Sequence, residues 1–365
     1  MLSTNSLFAA AQVVALGTIF PLFPAHPFSV WNSAFNTRSL SPDLQAWRAL
    51  GKYYVFTDAK HLRQLSVFYV DLNSEPGSRA DSKESTSTDS LLLLHGFPSC
   101  SADFQGAFLE KLLTRFSRVI AFDYPGYGFS DKPRGLEPSP YTIHTYADVA
   151  ERLLMHLGVA SVHVLAHDVG DTVAQELLAR HNARQSEAGL TGGKGEGLEL
   201  QSMAFLNGGL LPELHRPLLQ QRLLGNAYIG PLMGPLVRYK RFADSMTAVF
   251  GPATPPSERF LRNTYAALTF NGGNLILHEL IKYIPERLEH RDRWVGALQN
   301  TEVPLVLING PADPISGLHA AEGYREIVPS ARVHLLAAHV GHYPQVEAPH
   351  QVLEAHFEFL KKIGT

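Results

Sequence analysis

Cysteine is almost missing from this chain of 365 residues, with Cys100 the single one. No intrachain disulfide can form, so stability has to come from a packed core. Charge of one sign is not in excess either, since 31 Lys and Arg stand against 34 Asp and Glu and the pI is near 6.6. No basic stripe is present to track phosphates, and nucleic acid is not an expected partner. The chain also lacks an Asn-x-Ser/Thr sequon, so nothing marks its body as lumenal or secreted.

Charged side chains are absent from the N-terminus up to Arg38, and from Leu7 to Phe23 only Gln12 and Thr18 interrupt an apolar run. Such a run seeks lipid or a hydrophobic groove, and spanning a bilayer takes roughly 20 apolar residues. No basic segment precedes it, as a cleaved signal peptide would have. Arg38, Arg48 and Lys52 follow it, which by the positive-inside rule favours a cytosolic body. Residues 1–37 are therefore expected to be a membrane anchor in contact with bilayer lipid.

What is present in quantity is apolar residue, 45% of the chain, enough for one large domain with an insertion. Lys52 to Thr57 and Leu65 to Val70 read as an opening hairpin. Short apolar runs then alternate with amphipathic ones, the mark of strands and helices around a parallel sheet. The strand candidates are Leu91 to Leu94, Arg118 to Phe122, Val162 to Leu165, Met203 to Leu206, Pro304 to Ile308 and Val333 to Leu336. Helical spacing marks Ala102 to Thr114, Thr145 to Leu157, Asp171 to His181, Leu318 to Glu326 and Pro349 to Lys361. Polar, Gly-rich stretches at Asn73 to Ser90 and Ala183 to Gly197 read as surface loops. The expected fold class is α/β, a mostly parallel central sheet flanked by helices, built from residues 38–207 and 301–365. Residues 208–300 carry helical signals and no strand, and read as an inserted helical cap.

Four short motifs carry chemistry. The strand ending at Leu165 runs into Ala166, His167, Asp168, Val169 and Gly170, and a helix follows at once. So tight a strand-to-helix turn demands small residues two before and two after its centre, and Ala166 and Gly170 meet that demand. It presents Asp168 at a helix N-terminus, although Asp before Gly is also common in ordinary turns and caps. His95, Gly96, Phe97 and Pro98 follow the Leu91 to Leu94 strand, so the amides of Phe97 and Val169 are the positional candidates for an oxyanion hole. Asp313, in Gly310 to Pro314, is the candidate acid, and an Asx turn is its bland alternative. His342, in Gly341 to Pro344, is the candidate base; among 17 histidines it stands out by the order nucleophile, acid, histidine. His339 and His342 lack a second ligand pair or an HExxH helix, so no metal is expected.

These motifs resemble those of the epoxide hydrolase and haloalkane dehalogenase branch of the α/β-hydrolases, whose elbow carries an aspartate. More closely, LLLLHGFPS at Leu91 to Ser99, GFSDKP at Gly128 to Pro133, HDVGD at His167 to Asp171, LNGGLLPELHRPLL at Leu206 to Leu219, RWVGAL at Arg293 to Leu298 and GHYPQVEAP at Gly341 to Pro349 resemble the mesoderm-specific transcript family. The resemblance implies an α/β-hydrolase fold, a hydrolase of the endoplasmic reticulum membrane and no settled substrate. Val169 stands where dehalogenases carry a halide-holding Trp, which disfavours halide abstraction. Epoxide hydrolases protonate the substrate oxygen with cap tyrosines, and Tyr228, Tyr239, Tyr265 and Tyr283 fall in the cap region, leaving open which faces the site.

The expected function is hydrolysis of a lipophilic small molecule through an Asp168 ester, with His342 as base, Asp313 as its orienting acid and no cofactor. The rival is a catalytically silent hydrolase fold serving as a membrane-associated binding or scaffolding protein.

Overall fold

A computed structural model describes residues 40–74, 89–191, 197–330 and 332–365. The anchor candidate at 1–37 and most of the Asn73 to Ser90 loop lie outside the described residues. So does the apolar run at Leu7 to Phe23; within the described residues no helix is long and apolar enough to cross a membrane.

The sheet has eight strands: β1 (Lys52–Asp58), β2 (Arg63–Asn73), β3 (Ser90–Leu94), β4 (Arg118–Phe122), β5 (Ser161–His167), β6 (Glu199–Leu206), β7 (Leu305–Asn309) and β8 (Val333–Leu335). Their order is β1-β2-β4-β3-β5-β6-β7-β8. β1 and β4 pair antiparallel with β2, and every other pairing is parallel. Parallel strands covered on both faces have no solvent side, which is why the central ones are continuous apolar runs. The pleat divides each run between two cores. Leu92, Leu94, Val164, Ala166, Met203, Phe205, Leu305 and Leu307 fill one. Leu91, Leu93, Leu165, Ala204, Leu206, Val306 and Ile308 fill the other. At about 1.5–3 kcal/mol per fully buried Leu, β3 alone is a strong nucleus of burial.

The principal helices are α1 (Pro42–Leu50), α2 (Ala107–Leu113), α3 (Ile143–His156), α4 (Val169–Thr191), α5 (Tyr239–Thr247), α6 (Glu258–Thr269), α7 (Tyr283–Glu289), α8 (Arg291–Gln299), α9 (Leu318–Ile327) and α10 (Pro349–Ile363). Side-chain oxygens of Ser41, Thr142 and Ser257 cap α1, α3 and α6 by accepting from backbone N–H groups of the first turn. Between β6 and β7 the described residues are helical and contain no strand.

Two expectations need correction. The segment from Ala183, read as a loop, continues α4 as far as Thr191. Arg184 anchors it by donating to Glu151 Oε1 at 2.8 Å and to the Leu198 carbonyl at 3.0 Å, and Ala188 is buried, so tertiary contacts outweigh poor helix composition. The single helix expected over Ala102 to Thr114 is split into a 3-10 turn at Ser101–Phe104 and α2, because Gly106 has φ of 73° at their junction.

Gly170 sits where α4 leaves β5, and a Cβ there would lie 2.4 Å from the Leu94 carbonyl oxygen of β3. Alanine would gain about 1 kcal/mol of helix propensity but collide with rigid backbone, so the clash decides the sign. Gly170→Ala is expected to lower the unfolding free energy by about 2 kcal/mol in urea titrations. A midpoint equal to that of the parent would show that the two elements can separate at no cost.

Candidate active site

Asp168 occupies the turn between β5 and α4 with φ of 52°, a left-handed conformation that non-glycine residues adopt rarely. Asp168, His342 and Asp313 come from three separate segments and lie together at 3%, 3% and 4% exposure. His342 Nδ1 donates to Asp313 Oδ2 at 2.8 Å, and its Nε2 is 4.0 Å from Asp168 Oδ2. The Phe97 amide donates to the same Asp168 Oδ2 at 3.0 Å. Val169 opens α4 directly after Asp168, and its amide has no acceptor among the described residues. All five residues singled out from the sequence are thus neighbours.

Asp313 is held by more than the histidine. Its Oδ2 also accepts from Asn207 Nδ2 at 3.1 Å and Ser316 Oγ at 2.8 Å, and its Oδ1 accepts from the Ile315 amide at 2.7 Å. Burial opposes its charge, yet His342 and these donors keep its carboxyl below the ordinary value. Burial likewise disfavours charge on Asp168, and His342, the Arg287 guanidinium, His167 and the Phe97 amide more than offset it, so Asp168 is ionised. Burial by itself would hold His342 down; the two carboxylates, Asp313 foremost, push it up to about 9. Asp171, one turn along α4, is pushed well up by burial and by Asp168, which disfavours a second negative charge beside the first.

The histidine loop is positioned from several sides. His167 Nε2 donates to the His342 carbonyl at 2.7 Å, and the His342 amide donates to the Val249 carbonyl of the helical insertion at 2.9 Å. Glu347 accepts from the amides of Gly341, Gly251 and Tyr343 at 2.8, 2.8 and 2.9 Å. One carboxylate therefore ties the loop to the insertion. The Tyr343 hydroxyl donates to the Phe97 carbonyl at 3.1 Å and so steadies the oxyanion loop.

A cavity of about 530 Å³ opens over His342, Phe97 and Tyr343 and is roofed by Leu224, Met233, Val237, Phe242, Met246 and Leu277. Its walls are mainly apolar. A larger cavity of about 760 Å³ lies elsewhere, against Leu44, Asp103 and Gln345, and none of the three central residues lines it.

The alpha/beta hydrolase fold family matches residues 89–202. Among solved structures, the epoxide hydrolase CorEH has a TM-score of 0.62 at 17% identity over 86% of this chain and 99% of its own. The haloalkane dehalogenase DatA of Agrobacterium tumefaciens has a TM-score of 0.63 at 16% identity over 86% and 97%. These likenesses establish the fold alone. The mesoderm-specific transcript homolog protein of Bos taurus is 40% identical over 88% of this chain and 89% of its own length. The chain belongs to the mesoderm-specific transcript family. LipZ of Mycobacterium tuberculosis, named as a hydrolase, is 34% identical over 88% of this chain and 99% of its own. Family and fold together support a hydrolase.

In this member of the mesoderm-specific transcript family the insertion adds residues that sequence reasoning passed over. Arg287 of α7 is 1% exposed; its Nε donates to Thr172 Oγ1 at 2.7 Å and its Nη2 to the Asp168 carbonyl at 2.9 Å, 3.5 Å from Asp168 Oδ1. Of the four cap tyrosines, Tyr228 is exposed and the Tyr265 hydroxyl donates to the Val237 carbonyl. Tyr239 is half-buried against the Tyr265 ring, with the Arg262 guanidinium over its own ring. Tyr283 is buried, packs at a tilt against Phe97 at 5.9 Å between ring centres and lies 4.6 Å under the Arg287 guanidinium. Its hydroxyl has no partner among the described residues. Tyr283 was one of the four tyrosines the sequence offered, whereas Arg287 was signalled only by its helical spacing four residues further on, a pattern too common to single out.

The folded His342 titrates above its ordinary value of 6.5, so the stability drawn from the Asp313 pairing is whole below about pH 6.5 and is lost as pH rises through about 9. Asp313→Asn should bring the imidazole titration well below 9 in NMR and flatten this alkaline loss of unfolding free energy. A titration unchanged near 9 would show that Asp313 is not the cause.

Proposed function

We propose that the protein is an epoxide-hydrolase-like enzyme that opens a lipophilic small molecule through an ester on Asp168. What carries this reading is the split environment of the Asp168 carboxylate. Oδ2 accepts from the Phe97 amide at 3.0 Å, whereas Oδ1 has only the longer 3.5 Å contact with Arg287 Nη2 and is the oxygen better placed to attack a saturated carbon. The apolar walls of the adjoining cavity suit a lipophilic substrate.

In the first step Oδ1 bonds to an epoxide carbon as the ring C–O bond breaks, and the alkoxide takes the Tyr283 proton. Burial, with Asp168 adding to it, raises the Tyr283 phenol well above its ordinary value, so it is protonated and can donate. Esterification then removes the negative charge at Asp168 that helped hold the proton on His342. That proton returns to Tyr283, and the imidazole becomes a base at the stage where a base is required. Water gives its proton to His342 and adds to the ester carbon, while the oxyanion on Oδ2 accepts from the Phe97 and Val169 amides. Each such donor is worth on the order of 3 kcal/mol in comparable sites. Collapse releases the diol, protonated by the new carboxyl, and restores the resting charges. No metal or organic cofactor takes part. The Leu7 to Phe23 run would hold this body at a membrane, from which a lipid-soluble substrate could enter; we place that membrane as the endoplasmic reticulum with the body cytosolic.

The test is intact-mass spectrometry of His342→Gln incubated with lipophilic epoxides and alkyl halides. A substrate-sized adduct at Asp168, absent from the Asp168→Asn, His342→Gln double variant, is expected, because hydrolysis of the ester is blocked. Tyr283→Phe should slow ester formation from an epoxide by roughly 100-fold or more, the usual worth of a placed general acid, without slowing it for an alkyl halide. A folded His342→Gln protein that forms no adduct with any epoxide would favour the silent binding protein.

A further inference from the structure

Away from Asp168, the junction of α7 and α8 meets the first turn of α3. His144 from α3, Glu286 from α7 and His290 from the junction each offer a ligand atom, and these atoms all lie within 4.8 Å of one another. We propose that His144, Glu286 and His290 bind a divalent transition-metal ion, Zn²⁺ in the first instance, that clamps the helical insertion to the sheet-flanking helix α3.

The donor set is two imidazoles and a carboxylate, which suits zinc and leaves a further position for water. The backbone presents two of the three donors together. The His290 amide donates to the Glu286 carbonyl at 3.0 Å, so their side chains stand one turn apart on the same face. Ligands at about 2.1 Å from a tetrahedral ion stand roughly 3.4 Å apart, so side-chain rotations alone would close the observed spacing.

A second observation points the same way. His144 Nδ1 stands 3.1 Å from Glu176 Oε1, and Glu176 is 1% exposed. A histidine that donates one ring N–H to a buried carboxylate leaves its other nitrogen as a lone-pair donor, the usual arrangement around metal-bound imidazole. Glu176 is itself fixed by Arg180, Arg293 and Trp294 Nε1, at 2.8, 2.7 and 2.8 Å. The His290 ring nitrogens have no hydrogen bond among the described residues, and the ring packs edge-to-face with His144 at 4.7 Å. Glu286 is held in place by accepting from the Ile143 amide at 3.0 and 3.1 Å. Arg287, which reaches Asp168, is the next residue after Glu286. An ion here would therefore fix the turn that aims Arg287.

The measurement is calorimetric titration of the tag-free, chelator-treated full chain with ZnCl₂, beside the same titration of His290→Gln. A single saturable equivalent is expected for the parent. The variant should bind at least tenfold more weakly, since even an outer partner of a metal ligand is worth about 10–100-fold. At an excess of about 100 times the parent's Kd, zinc should raise the parent's Tm by roughly 5 °C and that of the variant by no more than about half as much. No saturable binding, or equal affinity in the two proteins, overturns the site. Should His290→Gln fail to fold, X-ray absorption of the zinc-loaded parent decides: two imidazole nitrogens support the assignment, and any other imidazole count overturns it.

Discussion

Keeping the Asp168 carboxylate ionised while it is out of water is the constraint that the rest of the site answers to. A lone buried carboxylate would take up a proton, since its desolvation outweighs a modest gain from packing. Here the compensation arrives from separate places in the chain: the Phe97 amide after β3, Arg287 of α7, and His342 after β8. His342 is in turn kept cationic by Asp313, whose own charge is satisfied by Asn207, Ser316 and the Ile315 amide. Loss of any one contact would be felt through the others, because each charge is stabilised only by its neighbours in a low-dielectric interior.

The helical insertion between β6 and β7 is part of that electrostatic arrangement as well as a roof. It supplies the apolar wall of the cavity, the carbonyl of Val249 that holds the His342 backbone, and the Arg287 guanidinium against Asp168. Glu347 gathers amides from both the insertion and the histidine loop onto one carboxylate. A displacement of the insertion would therefore change the charge balance at Asp168 together with access to it. This link between position and pKa is the physical route by which anything that binds the insertion could alter the chemistry below.

Much of the architecture was legible because central strands in a parallel sheet are buried on both faces. Leu91 to Leu94 is wholly apolar and Val162 to Leu165 is interrupted only by the buried His163, so their runs stand out against amphipathic helices. The elbow was legible for a steric reason: a turn with φ of 52° at Asp168 and a 2.4 Å approach at Gly170 leaves few residue choices. The end of α4 was not legible. Gly189, Ser186 and their polar neighbours have the composition of a loop, and what holds them helical is a pair of contacts from Arg184 to residues distant in the sequence.

By itself, the amino-acid sequence determined where along the chain the strands lie, the elbow and the chain order of Asp168, Asp313 and His342, because periodicity and tight-turn sterics are local properties. It also determined membership of the mesoderm-specific transcript family, through matching stretches spread along the chain. Which of the cap tyrosines comes to the site, that Arg287 lies against the Asp168 carboxylate, and that His144 meets Glu286 and His290 were decided only in three dimensions. Those contacts join residues more than a hundred positions apart, and the packing angle of a helix against a sheet, which brings them together, is written in no single stretch of chain.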